Sequence, residues 1–251
     1  MLILNPLEQF SLLTLIPIEF LGINISITNA TLFLFLTAFL AYGSFRLAML
    51  NATVVPNSWQ YVAESLYNFI NEELAKKLIA NDKGREYFPF VFTLFVFILM
   101  SNELGMIPYT FTITSHLFIT FSMGMMMFIG LLVIGFGTHG LHFFAFFVPP
   151  GCPLVIVPLL IGIELISFFF RVVSISVRLF ANVMAGHALF KILSGFAWTM
   201  LSLGVIGWIG SFAILAFILA FTALEVAIAF IQAYIFALLT CLYLNDAIHL
   251  H

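Results

Sequence analysis

Charge is what this chain has least of. Of 251 residues, 8 are Lys or Arg and 11 are Asp or Glu, together 8%. A soluble globular domain carries about 25%. That scarcity excludes a water-soluble fold and leaves the few charges present to be explained one by one. Cysteine is nearly absent as well. Cys152 and Cys241 are far apart and have neither CxxC nor metal-ligand spacing, which excludes a disulfide framework. No Lys or Arg precedes Arg46. An Arg-rich transit peptide or a signal peptide with a basic n-region is therefore not expected there, and the chain reads as inserted directly in a bacterial membrane or made inside an organelle. No GxxxxGK[ST] occurs, so nucleotide binding is not expected. No cofactor and no nucleic-acid partner are expected either. After Pro158 there is no proline at all.

What is present is apolar: 63% of the residues are hydrophobic, 32 of them Phe. Several runs reach the ~20 residues that span a bilayer. The whole chain, 1–251, reads as one all-α integral membrane domain with about five transmembrane helices and one amphipathic surface helix. Residues 1–29, mixed and holding Glu8 and Glu19, read as an interfacial segment. Spans are predicted at 30–50, 87–107 and 116–137. Five of the eight basic residues (Arg46, Lys76, Lys77, Lys83 and Arg85) lie between the first two spans, which places that loop on the cytoplasmic or matrix side. Within it, Trp59, Val62, Leu66, Phe69, Ile70, Leu74 and Leu78 recur at helical spacing. They predict an amphipathic helix over 57–80 lying on the membrane or on another subunit. Asn57 and Gln60 resemble a capping box at its start. The Met123–Met127 cluster reads as packing, and His139 and His142 as interfacial histidines rather than a metal site.

Glycines at 195, 204, 207 and 210 divide the proline-free region into helices over 156–194 and 208–245. A helix of about 37 residues measures ~55 Å, against a ~30 Å hydrocarbon core. Such helices must lie strongly inclined, as a hairpin. Counting from an outside N-terminus, five membrane segments leave the C-terminus inside.

Arg178 stands inside this apolar region. Its guanidinium cannot be neutralised, since its pKa lies above ~12, and a charge at the bilayer centre costs at least ~2.5–3.5 kcal/mol. Glu164, Arg171 and Arg178 are spaced by seven, and Ser174 and Asn182 lie four to either side of Arg178, so a polar ladder runs down one helix face. His187 is half a turn round from Arg178 and reads as lining a separate aqueous path. The second long helix carries Glu225 and Gln232, again seven apart. His187 and Glu225 are the groups best placed to exchange protons near neutral pH. Structural roles stay open for several of these residues. Glu164 could neutralise Arg171, Asn182 and Gln232 could be interhelical hydrogen-bond glue, and His187 could cap a carbonyl or pair with Glu225.

The run Arg178-Leu-Phe-Ala-Asn-Val-Met-Ala-Gly-His187 closely resembles the signature of subunit a of F-type ATP synthases, mitochondrial type. Asn5-Pro-Leu-Glu-Gln-Phe10, Pro56-Asn-Ser-Trp-Gln60, Gly105-Met-Ile-Pro-Tyr109, Thr114-Ser-His116, Glu164-Leu-Ile-Ser167, Lys191-Ile-Leu-Ser-Gly-Phe-Ala-Trp198, Gln232-Ala-Tyr234 and Tyr243-Leu-Asn-Asp246 extend the likeness over almost the whole chain. The resemblance implies a non-catalytic stator in the mitochondrial inner membrane. Its partners would be a ring of c subunits, the peripheral stalk and other membrane subunits, and the lipid bilayer. It would carry H+ through two offset half-channels. Arg178 matches the family's essential arginine. His187 and Glu225 match its two channel positions, in the residue types of the mitochondrial branch. Glu164, Ser174, Asn182 and Gln232 match further polar positions, and Ala181, Ala185, Gly186 and Ala188 would let another helix approach closely. Two rival classes read differently. An antiporter-like subunit would show lysines in several spans, whereas Lys191 is the one lysine after Lys83. A structural anchor would tolerate a neutral residue at 178.

Overall fold

The computed structural model describes residues 8–20, 23–24, 26–50, 52–79, 83–107, 110–147, 156–202 and 204–248. The stretch Pro149 to Pro153, Pro108, and the terminal His249 and His251 lie outside the described residues. The chain is an all-α, multi-pass membrane protein. Its helices are α1 (Asn29–Ala48), α2 (Ser58–Ile70), α3 (Lys83–Met106), α4 (Leu117–His139), α5 (Val157–Leu201) and α6 (Val205–Ile248). Among the described residues, five helices are long and apolar enough to cross a membrane, namely all but α2.

The two last helices are longer than glycine placement predicts. α5 has 45 residues and α6 has 44. At 1.5 Å per residue each measures roughly 66 Å, about twice a ~30 Å hydrocarbon core. Gly195 does not end α5, because one glycine in a helix interior costs only ~1 kcal/mol, which apolar neighbours offset. The turn instead falls at Gly204, whose φ of 79° is a conformation that glycine adopts without steric cost. Trp208 N–H then donates to the Gly204 carbonyl at 3.1 Å to start α6.

The described residues form two compact units. The first draws on Met1–Ala41, Phe97–His116 and Leu179–Gln232. In it, the predicted interfacial segment contains two short antiparallel ladders. Thr14–Ile16 (β1) pairs with Ile27–Thr28 (β4), and Glu19–Phe20 (β2) with Ile23–Asn24 (β3). β-Branched residues dominate these positions and favour extended backbone. The ladders are tied to α1 by Asn29, which accepts from Leu13 N–H at 3.2 Å and donates to the Ser11 carbonyl at 3.1 Å. Thr28 and Thr31 cap α1 reciprocally, each hydroxyl accepting from the other's backbone N–H, at 3.4 and 3.3 Å. The ends of α5 and α6 that meet in this unit pack antiparallel. Phe190 meets Phe221 edge-on, with ring centroids 5.5 Å apart.

The second unit draws on Tyr42–Val96, Leu117–Arg178 and Ala233–His251. Its apolar centre gathers Phe143, Phe168 and Ala247, with Phe128, Leu132 and Ile161 around them. Small residues allow close packing here, since a Cβ on Gly135 would strike the Phe143 ring and one on Gly124 would strike Ser176. Met127 is a packing residue, buried and accepting from the Thr240 hydroxyl at 2.9 Å. His139 Nε2 is bonded to the Ile248 carbonyl at 2.9 Å.

One local expectation for α2 fails. Asn57 makes no side-chain cap. Gln60 reaches back instead to Thr53, accepting from its N–H at 3.1 Å and donating to its carbonyl at 2.9 Å, and it also donates to Glu64 at 2.7 Å. Along the helix the apolar residues divide: Ile70 and Leu74 are buried within the chain, whereas Trp59, at 79% exposed, and Val62 are left for a membrane or another subunit to cover. The helix widens to a π turn over Asn71–Lys76. Its i→i+5 geometry rotates the side chains that follow.

Candidate functional site

The polar residues of the long helices collect, in the first unit, around a cavity of about 20 Å³. That volume holds about one water. α3 contributes Asn102, α5 contributes Asn182 and His187, and α6 contributes Glu225 and Gln232. The other lining residues, Met106, Val183, Ile228 and Ala229, are apolar. Glu225 reaches the cavity across Gly186, where any side chain would overlap the Glu225 carboxyl, with its Cδ only 2.8 Å from a Cβ. The close approach that Gly186 allows is thus taken up by Glu225 of the same chain. Asn182 Nδ2 donates to Gln232 Oε1 at 3.2 Å, which links α5 to α6.

The cavity is under-satisfied. Both side-chain polar atoms of Asn102, Glu225 Oε2 and Gln232 Nε2 are buried without a hydrogen-bond partner among the described residues. Asn102 and Gln232 are 2% and 3% exposed. Buried polar atoms are rarely left this way, because each costs ~1–3 kcal/mol. Four such atoms belong to residues that line one water-sized space. His187 does not pair with Glu225. Its Nε2 meets the Thr112 hydroxyl at 3.2 Å, and Phe10 lies edge-on to its ring at 6.3 Å between centroids.

Of the seven residues singled out from sequence, Asn182, His187, Glu225 and Gln232 line this cavity. Sequence spacing set His187 apart from Asn182. They share the cavity because Gly186, between them, opens the groove that α6 fills. Glu164, Ser174 and Arg178 belong to the second unit. There Glu164 pairs with Arg171 at 3.6 Å, and the Arg171 guanidinium lies over the Tyr243 ring, 5.5 Å from its centre. With both side chains over a third exposed, that pair contributes little stability. Ser174 and Arg178 are exposed, and Arg178 has no ion pair among the described residues. Its cost in a bilayer is not offset within the described chain. Two residues of the site escape sequence reasoning. Asn102 is visible as a polar residue in an apolar span. Thr112 carries no sequence signal.

His116, between α3 and α4, stacks on Phe111 at 5.1 Å and has a buried, unpartnered Nε2. Burial holds its pKa below the usual 6.5. A lowered native pKa means that the fold favours the neutral ring. The stability this gives is complete above the ordinary histidine value and is lost as pH falls through the native one. His116→Gln should therefore lessen the loss of thermal stability of the assembled complex as pH drops from about 7 to about 5. An acid limb identical to that of the parent protein would contradict this.

Comparison with known proteins places these features in context. The family model for the ATP synthase A chain matches residues 9–245. The "ATP synthase subunit a" of Chondrus crispus is 49% identical over 250 residues, covering 100% of this chain and 98% of that one. That of Marchantia polymorpha is 47% identical over 252 residues, covering 98% and 99%. That of Parvibaculum lavamentivorans is 44% identical over 246 residues, covering 98% and 94%.

Proposed function

The chain belongs to the ATP synthase A chain family, as a proton-translocating, multi-pass subunit of the membrane sector that works with other synthase subunits, and from this premise we propose a division of labour among its polar residues. Asn102, Asn182, His187, Glu225 and Gln232 form part of an aqueous half-channel. Arg178 is the electrostatic gate that separates this path from a second half-channel, and it faces a carboxylate on a rotating ring of c subunits. Glu164 and Ser174 belong to the polar surroundings of the gate. The chain is a non-catalytic stator that carries H+ in the mitochondrial inner membrane, with the peripheral stalk among its neighbours. The length of α5 and α6 supports helices inclined along the outside of a ring.

The observation that carries this reading is the cavity lined by orphaned polar atoms in an apolar hairpin. A structural hydrogen-bond cluster would satisfy its own groups, whereas a water path leaves them for water to satisfy. The cavity also holds the two side chains suited to take up and release protons near neutral pH. The antiporter reading lacks its intramembrane lysines, and the anchor reading leaves the open cavity unexplained.

Gly186→Ala tests the path without removing any polar group. The new methyl would displace the Glu225 carboxyl from its place beside α5. Proton flux through the assembled complex should fall by at least about tenfold, since a displacement of ~1 Å at a reacting group has effects on that scale. Normal flux with normal assembly would remove the cavity from the proton path.

A further inference from the structure

We propose that Thr112 is a positioning residue for His187, fixing which imidazole nitrogen carries the proton. This rests on the reading of His187 as a proton-path residue. Thr112 lies in the segment after α3 and is only 3% exposed. Its hydroxyl oxygen is 3.2 Å from His187 Nε2 and 3.4 Å from the Gly105 carbonyl. A threonine hydroxyl has one proton to give and lone pairs to receive with. The Gly105 carbonyl can only accept. It belongs to the last turn of α3, where carbonyls lack helical N–H partners. On this proposal the Thr112 proton goes to the Gly105 carbonyl, and His187 Nε2 then donates its N–H to the Thr112 oxygen. Nδ1 makes no hydrogen bond among the described residues. It is then the nitrogen with the free lone pair, and therefore the one that takes up and releases a proton. Without Thr112, both neutral tautomers become available and the ring loses its anchor.

Gly105 is part of the same device. A Cβ there would lie 3.1 Å from Thr112 Cβ and 2.8 Å from its Oγ1, so any larger residue pushes the hydroxyl away. Glycine at 105 lets the Thr112 side chain rest on the helix end, with its oxygen between the Gly105 carbonyl and His187. Two substitutions on different segments should therefore disturb His187 in the same way.

The test measures proton flux through membrane vesicles containing the whole, assembled synthase. Thr112→Val keeps the shape and removes the hydroxyl. It should slow flux about fivefold, the size of one neutral hydrogen bond. Thr112→Ser should restore flux to within about twofold of the parent, since the hydroxyl is retained. Gly105→Ala, with Thr112 intact, should match Thr112→Val. On a His187→Ala background, Thr112→Val should slow flux no further, which a merely structural role would not predict. If His187→Ala itself conducts normally, the proton-path reading fails and this proposal with it. If His187→Ala is slow but Thr112→Val is normal, or the two losses multiply, the positioning role is overturned while the path reading stands. Should Thr112→Val not assemble, Gly105→Ala decides alone: normal flux overturns the proposal, and slowed flux that is absent on the His187→Ala background upholds it.

Discussion

Arg178→Ala should abolish ATP synthesis driven by a proton gradient while leaving the complex assembled. The reason lies in what a fixed cation does to a passing carboxyl group. At ~4 Å and an effective dielectric constant of ~20, opposite unit charges attract by about 4 kcal/mol. A neutral carboxyl gains none of this. The preference for the ionised form beside Arg178 is then roughly a thousandfold, at 1.36 kcal/mol per factor of ten. On the proposed mechanism, a ring carboxylate must give up its proton before it passes and take up another afterwards. With alanine at 178 a protonated group passes as readily as an ionised one, so protons cross without turning anything. The variant should therefore combine zero synthesis with a retained or raised proton leak. Assembly should survive, because Arg178 is exposed and makes no ion pair among the described residues. Its removal leaves no partner behind in the described chain. Proton-driven synthesis at the parental rate would end the gating role.

Glu225→Gln carries the second large effect. The substitution keeps the size of the side chain and its seat against Gly186, so the hairpin should pack as before. What goes is the ability to bind and release a proton. A positioned acid–base group is worth on the order of 100-fold in rate, and proton flux should fall by about that factor. Coupling should remain intact, with fewer protons moving and fewer ATP made in the same ratio. This separates a channel residue from the gate, whose loss uncouples. His187→Ala should slow flux in the same coupled manner. Unchanged flux in Glu225→Gln would remove the carboxyl from the path.

The expensive residues were the legible ones. Arg178, His187, Glu225 and Gln232 announce themselves because a charge or amide in an apolar run demands a reason. The membrane fold was legible for the same cause, since composition alone separates spans from loops. Helix ends were less so. Gly195 reads as a boundary, yet α5 runs on to Leu201, because one glycine costs less than a well-packed helix gains. Asn57 and Gln60 have the right types for a capping box, but Gln60 found better partners on Thr53. The short strands before α1 are too brief for alternation to reveal. Thr112 illustrates a deeper limit. It is small and neutral, lies in an irregular segment, and meets His187 only because the chain returns there 75 residues later. No spacing rule links such a pair. Likewise, the under-satisfied state of Asn102 is a property of three packed helices and not of its own neighbours.

The proposed gate requires Arg178 to meet a carboxylate that no described residue of its own chain supplies. The most direct measurement is a density map of the intact complex at a resolution that shows side chains around Arg178. A carboxylate from a ring subunit should lie opposite the guanidinium, within ion-pair reach of ~4 Å. An apolar surface or lipid at that position, in every rotary state observed, would contradict it.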